Sequence, residues 1–109
     1  NLKAVARVSV KEACADFLKD CERRKLSTTS VDKYTLLTNE LKAEFGAEHI
    51  GELGVTDLRD YCAKWKLAPI SYRKKLERLR TFFKFCADSD WIKSNVSVRL
   101  THLFKERCL

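Results

Sequence analysis

Apolar residues recur along this chain at the spacing of an α-helix, in four segments separated by polar or glycine-containing stretches. The first segment begins at Ser9, which forms the S-x-x-E pattern of a capping box with Glu12. The second follows four consecutive hydroxyl residues and runs to about Phe45, with Gly46 as its stop signal. Apolar residues three or four positions apart form one stripe on each segment, which predicts amphipathic helices that pack together.

The third and fourth segments have weaker start signals. The third is predicted to begin at Thr56 and Asp57, because threonine is a good N-cap residue and aspartate suits the positive end of a helix. Pro69 marks a break, and Ser71 is predicted to cap the fourth helix, which ends near Asp88. Glycine and proline are too few for an all-β protein with many tight turns. We therefore predict an all-α fold with four main helices.

A chain of 109 residues is expected to form one domain with a single core. Residues 1–8 are interpreted as a lead-in, residues 9–95 as the helical domain, and residues 96–109 as a linker to a part of the protein outside this sequence. Four large apolar residues outside the helices are predicted to fold back on the core: Ile50, Leu53, Trp91 and Ile92.

The fourth segment is strongly basic. Lys74 and Arg78 lie one turn apart on the side away from the apolar stripe, and Arg73, Arg80 and Lys84 form a second row. A single acidic residue interrupts the two rows. The whole chain has a net charge of +7 and a pI near 9.3. This charge favours nucleic acid or an acidic surface as partner, although an ordinary solvated helix face gives the same local pattern.

Two further polar clusters have alternative explanations. Arg23, Arg24 and Lys25 lie at the C-terminal end of the first predicted helix, where cations complement the helix dipole without any ligand. We prefer that interpretation to a ligand-binding role. The hydroxyl cluster at 27–30 can cap the second helix or bind phosphate, and both roles stay open at this point.

The five cysteines are predicted to be free thiols. No two have C-x-x-C spacing or a neighbouring histidine, so neither a metal site nor a cofactor is expected. Cys14, Cys21 and Cys86 fall on apolar stripes and are interpreted as small buried hydrophobic residues, which indicates a reducing, cytoplasmic environment. His49 is interpreted as an ordinary loop residue. No apolar run is long enough to cross a bilayer and no signal peptide is evident, so no membrane partner is expected.

Four motifs occur in a characteristic order along the chain. They are S-x-x-S-V-x-x-Y at 27–34, I-x-x-L-x-x-x-D-L at 50–58, S-Y-R-K-K-L-x-x-L-R-x-F-F-x-F at 71–85 and W-I-x-x-N at 91–95. In this order they resemble the N-terminal, SAM-like core-binding domain of tyrosine recombinases, the phage integrase family, over most of the chain. The family usually has threonine at Ser30 and Ser71, commonly glycine at Asp90, and proline at Val96.

The resemblance implies a compact bundle of four helices in two crossed hairpins. In the family this domain packs on one face of duplex DNA while a separate C-terminal catalytic domain of the same chain closes on the other. The second and fourth helices present their N-terminal halves to the DNA. By position, the DNA-facing residues fall on Thr29, Lys33, Ser71, Lys74 and Arg78, and Arg73 is added on charge alone.

The resemblance also implies that the catalytic tyrosine and its arginine, histidine and lysine partners belong to the C-terminal domain. Tyr34, Tyr61 and Tyr72 have core spacing, so none is expected to act as a nucleophile. The expected function is sequence-specific, non-catalytic duplex DNA binding within a site-specific recombinase or integrase. The expected partners are duplex DNA, the C-terminal domain and further protomers of a DNA-bound tetramer.

Two other functional classes fit parts of the sequence. A helical protein-interaction module with a basic surface remains the main alternative, and such modules usually expose an apolar patch. A helix-turn-helix regulator fits poorly, because the loop before the third helix has nine residues and the basic helix is a separate element.

Overall fold

Residues 8–92 are described by a computed structural model, which contains four α-helices, one short 3-10 helix and no β-strand within that range. The helices are α1 (Val10–Arg23), α2 (Thr28–Phe45), α3 (Val55–Ala63) and α4 (Pro69–Asp88), and the 3-10 helix Ile50–Glu52 precedes α3. The predicted all-α bundle of four main helices is confirmed. Most of the predicted lead-in, the end of the predicted domain, the predicted linker 96–109 and Cys108 lie outside the described residues.

The first two helices begin where their capping signals predicted. The Ser9 hydroxyl accepts a hydrogen bond from the Glu12 N–H at 3.1 Å, and the Glu12 carboxylate accepts one from the Ser9 N–H at 3.0 Å. This reciprocal bonding also lowers the pKa of Glu12. The Ser27 hydroxyl accepts from the Ser30 N–H at 3.2 Å, so the hydroxyl cluster does cap α2. That helix ends, as predicted, immediately before Gly46.

The predicted cap of α3 is wrong by two residues. Gly54, not Thr56, is the N-cap residue, and the Asp57 carboxylate accepts a hydrogen bond from the Gly54 N–H at 2.9 Å. Glycine is an acceptable N-cap because its backbone adopts the extended conformation at little cost. The aspartate supplies the side-chain half of the cap from within the first turn.

The predicted cap of α4 is also wrong. The helix begins at Pro69 with Ala68 as its N-cap residue, which places Ser71 inside the first turn with its side chain exposed. Proline is well suited to the first helical position, because the N–H that it lacks would have no partner there and its φ angle is already helical. The proline thus starts the helix as well as ending the segment before it.

The end of α1 is a Schellman motif built without glycine. Lys25 has a φ of 56°, and its N–H donates to the Glu22 carbonyl at 3.0 Å. The Leu26 N–H donates to the Cys21 carbonyl at 3.3 Å. Both bonds satisfy carbonyls that the helix end would otherwise leave open, at the cost of a left-handed backbone on a lysine.

The same motif ends α4. Asp90 has a φ of 64°, its N–H donates to the Ala87 carbonyl at 3.0 Å, and the Trp91 N–H donates to the Cys86 carbonyl at 3.0 Å. The Trp91 ring packs edge-to-face against Phe85 with ring centres 5.5 Å apart. This apolar contact is the usual companion of the motif, and it returns the chain to the core.

The core is centred on Phe17 of α1. Its ring makes edge-to-face contacts with Tyr34, Phe82 and Phe85 at centre distances of 5.1 to 5.4 Å, joining α1 to α2 and α4. The four loop residues predicted to complete the core do so, since Ile50 and Leu53 are buried and Trp91 and Ile92 pack against it.

The four cysteines within the described range are buried and free, as predicted. The Cys14 thiol donates to the Thr38 carbonyl at 3.7 Å, which joins α1 to α2. Burial raises the pKa of Cys14 and of Cys86 to about 12, so both thiols remain protonated near neutral pH. Between residues 8 and 92, no cluster of histidine, cysteine and acidic side chains suits a metal ion. No helix in that range combines the length and apolar character needed to cross a membrane.

Candidate nucleic-acid interface

The two arginines at the C-terminal end of α1 are paired with an acid of the same helix. Arg24 Nε lies 3.0 Å from Asp20 Oδ2, and Arg23 Nη1 lies 3.6 Å from Asp20 Oδ1. Arg23 is the last residue of α1 and Arg24 caps it. Both guanidinium groups therefore serve the helix end, where positive charge is favourable.

The second basic row of α4 also contains paired cations. Arg80 Nη1 lies 3.1 Å from Glu77 Oε2, and Lys84 Nζ lies 2.9 Å from Asp88 Oδ2. Exposed pairs of this kind contribute little to stability. They do neutralise the local charge, so this side of α4 attracts an anion less than the sequence suggested.

The six predicted DNA-facing residues lie on the N-terminal halves of α2 and α4. We call this set the basic face; it consists of Thr29, Lys33, Ser71, Arg73, Lys74 and Arg78. The side chains are exposed except that of Arg78, which is half-buried. Within residues 8–92, Lys33, Lys74 and Arg78 form no ion pair, and we refer to these three as the unpaired cations.

The structure brings part of this face together in a cleft between α2 and α4. The cleft has a volume of about 110 Å³ and joins Lys33 of α2 to Arg78 of α4, which are 45 positions apart in the sequence. Its remaining lining residues are Leu36, Leu37, Glu40 and Lys75. Arg78 Nε is buried and has no acceptor among the described residues.

Arg73 belongs to a different side of α4 from the cleft. It lies five residues before Arg78, which is nearly half a turn out of phase at 3.6 residues per turn. Seven residues separate it from Arg80, close to two full turns, so it shares the second row. Arg73, which the basic face includes on charge alone, therefore does not belong to the residues that converge on the cleft.

Lys75 is a cation that the sequence analysis missed. Only 16% of its side chain is exposed, Nζ lies 2.7 Å from Glu40 Oε1, and the ammonium group lies 4.6 Å from the centre of the Trp65 ring. The Tyr61 hydroxyl donates to the same Glu40 oxygen at 2.9 Å. This network joins α2, α3 and α4, and no local motif relates residues so far apart in sequence.

The tyrosines occupy the positions that their spacing predicted. Tyr61 and Tyr72 are buried, and Tyr34 packs against Phe17. Burial raises the pKa of Tyr61 above its ordinary value, and the hydrogen bond to Glu40 adds to the effect. The phenol is thereby held protonated as a hydrogen-bond donor.

Comparison with known proteins identifies no relative: no family model, no curated protein and no solved structure matches this chain. Any assignment of function must therefore start from the described side chains and from the motifs in the sequence.

Among residues 8–92, three large apolar residues are exposed. Leu36 is 64% exposed, Ile70 is 69% exposed and Leu67 is 43% exposed. Leu36 lines the cleft, and Ile70 lies one turn before Lys74 on α4. Single exposed apolar residues are normal on a protein surface, but these two border the basic face.

Proposed function

We propose that this domain binds duplex DNA and acts as the non-catalytic half of a tyrosine recombinase clamp. The observation that carries the proposal is the position of the unpaired cations on the N-terminal halves of α2 and α4, two helices that border one cleft. Neighbouring cations without partners repel each other, and an anionic polymer relieves that repulsion while releasing its own counterions.

The termini of the two helices add to this surface. Thr29 lies in the first turn of α2 and Ser71 in the first turn of α4, both exposed. The N–H groups of a first turn and their partial positive charge favour phosphate, and a hydroxyl there can donate a further hydrogen bond. Arg73 and Lys74 are exposed enough to reach base edges, and an arginine matches the acceptor pair of guanine.

The end of α4 supports the resemblance on which the recombinase part of the proposal rests. Asp90 has a left-handed backbone, which is the conformation that favours glycine, and glycine is common at this position in the family. Trp91 and Ile92 of the last motif pack on the core. The catalytic chemistry, the C-terminal domain and the tetramer of protomers remain parts of the proposal that follow from the resemblance.

The salt dependence of duplex binding tests this function. If the domain neutralises about five phosphates, log K should fall against log salt with a slope of about −4.5. Fluorescence anisotropy with a short labelled duplex at several salt concentrations measures the slope. Binding that does not depend on salt, or no binding to any duplex at low salt, would contradict the proposal.

A protein-interaction module with a basic surface is the second candidate, favoured by the exposure of Leu36 and Ile70. Interaction modules bury such side chains against a partner. Two isolated side chains are small compared with a partner-binding patch, so DNA is the better-supported ligand. Poly-glutamate of matched charge separates the two candidates in the same assay. If it binds as tightly as the duplex, the interaction module is favoured.

A further inference from the structure

We infer that the cleft between α2 and α4 binds a single tetrahedral oxyanion. A phosphodiester group of DNA and a free inorganic phosphate share this chemistry. The assignment to DNA rests on the proposed function, whereas the anion site itself rests on Lys33, Lys75, Arg78 and Glu40.

The first argument is the charge around the cleft. Three cations and one carboxylate line it, which leaves a formal excess of two positive charges. The carboxylate reduces the attraction for an anion but does not remove it, because three cations outweigh one acid. Glu40 Oε1 accepts from Lys75 Nζ at 2.7 Å and from the Tyr61 hydroxyl at 2.9 Å. Lys33 and Arg78 thus remain the groups that can bind an incoming oxyanion.

The second argument is the state of Arg78. Its Nε is buried without an acceptor among the described residues, although a buried N–H normally has a partner. An unsatisfied buried donor is costly, and a small shift of the Arg78 side chain toward an oxyanion in the cleft would give Nε the acceptor that it lacks. A guanidinium group is planar and can donate two parallel hydrogen bonds to a phosphate, so Arg78 also suits the ligand geometrically.

The third argument is size. The volume of about 110 Å³ is well below the roughly 300 to 1,000 Å³ typical of small-molecule pockets, so the cleft admits a small ion but not a nucleotide. Leu37 is fully buried at one wall and Leu36 lies at the exposed rim.

Nitrogen-15 NMR of the arginine Nε–H groups tests the inference directly. Inorganic phosphate should shift the Arg78 Nε–H resonance saturably, and a short duplex should shift the same resonance at a much lower concentration. A duplex that binds without affecting Arg78 overturns the inference while the proposed function stands. A phosphate-induced shift with no duplex binding retains the anion site but overturns its assignment to DNA. No shift with either probe overturns the inference entirely.

A matched pair of variants provides a gain-of-binding test that loss of folding cannot imitate. Glu40→Gln and Glu44→Gln each remove one negative charge from α2, one turn apart, but Glu44 pairs with Lys64 outside the cleft. The amide oxygen of glutamine can still accept from Tyr61 and Lys75. Glu40→Gln should tighten phosphate binding about fivefold, as expected for removing a charge about 5 Å away in a largely aqueous setting. Glu44→Gln should change it by less than about twofold. Equal effects would show a general charge effect and overturn the inference.

Discussion

Cations at the C-terminal ends of α1 and α4 differ from cations on the N-terminal halves of α2 and α4 in whether they have an acidic partner. At the C-terminal ends of α1 and α4, Arg24 lies 3.0 Å from Asp20 and Lys84 lies 2.9 Å from Asp88. On the N-terminal halves of α2 and α4, the unpaired cations have no such partner within the described residues. Cations near a helix C-terminus stabilise the helix, whereas the unpaired cations lie beyond the first turns of α2 and α4, where the helix dipole does not favour them. The charge on the basic face is therefore better explained by a ligand than by the fold.

Charge reversal at the two regions should give the largest contrast. Lys74→Glu with Arg78→Glu should weaken duplex binding by about 100-fold or more at moderate salt, because two cations are lost and two repulsive charges are added. Unfolding free energy should fall by only about 0.5 to 1 kcal/mol, mainly through the half-buried stem of Arg78. Anisotropy with a labelled duplex and urea unfolding followed by circular dichroism measure the two quantities.

Arg23→Glu with Arg24→Glu is the matched control, since it changes the net charge by the same amount. Losing the pairs with Asp20 and placing acids at the end of α1 should lower the unfolding free energy by about 1 kcal/mol. Duplex affinity should change much less than in the α4 variant. If the α1 variant weakens duplex binding more than the α4 variant does, DNA binds near the end of α1 and not on the basic face.

The start of α1 shows why much of the fold could be predicted. The capping box of Ser9 and Glu12 depends on two residues three positions apart, and both its hydrogen bonds form. The helical spacing of Cys14 and Phe17 is equally local, and both side chains are buried in the core. Signals that depend only on neighbouring residues can be recognised without knowing the tertiary structure.

The predicted cap of α4 is wrong because proline can either end or begin a helix. Pro69 ends one segment and also starts α4, so the predicted cap, Ser71, lies three residues after the observed cap, Ala68. The convergence of Lys33 and Arg78, and the network of Glu40 with Lys75, depend on how α2 packs against α4. The packing of α2 against α4 determines which of the predicted cations share a cleft. That packing cannot be recognised from the spacing of residues along the sequence.

Serine substitutions should sharpen the comparison at a smaller scale, because Ser27 caps α2 whereas Ser71 lies exposed within α4. Ser27→Ala should lower the unfolding free energy by about 1 kcal/mol. Ser71→Ala should change it by less than about 0.5 kcal/mol and weaken duplex binding about threefold, through loss of one hydrogen bond to phosphate. Urea unfolding and anisotropy separate the two effects. Equal destabilisation by the two substitutions would mean that Ser71 is a cap after all.

The smallest expected effects concern the two left-handed residues at the helix ends, Lys25 and Asp90. A left-handed backbone costs an ordinary L-residue roughly 1 to 2 kcal/mol, and glycine avoids this cost but loses more chain entropy on folding, by about 0.5 to 1 kcal/mol. Lys25→Gly should therefore raise the unfolding free energy by about 0.5 kcal/mol. Asp90→Gly should raise it less, because the short polar side chain of aspartate tolerates this conformation.

Alanine at the same two positions is the control, since it keeps the Cβ atom that makes the left-handed backbone costly. Asp90→Ala should lower the unfolding free energy, because it removes the polar side chain without removing the Cβ atom, and Lys25→Ala should leave it nearly unchanged. Urea unfolding measures all four variants, and duplex affinity should stay within about twofold of the original protein because neither residue lies on the basic face. Stabilisation by alanine as large as that by glycine would show that relief of backbone strain is not the cause. A loss of duplex binding in the glycine variants would instead place a DNA contact at the helix C-terminal ends and break the distinction between the two regions.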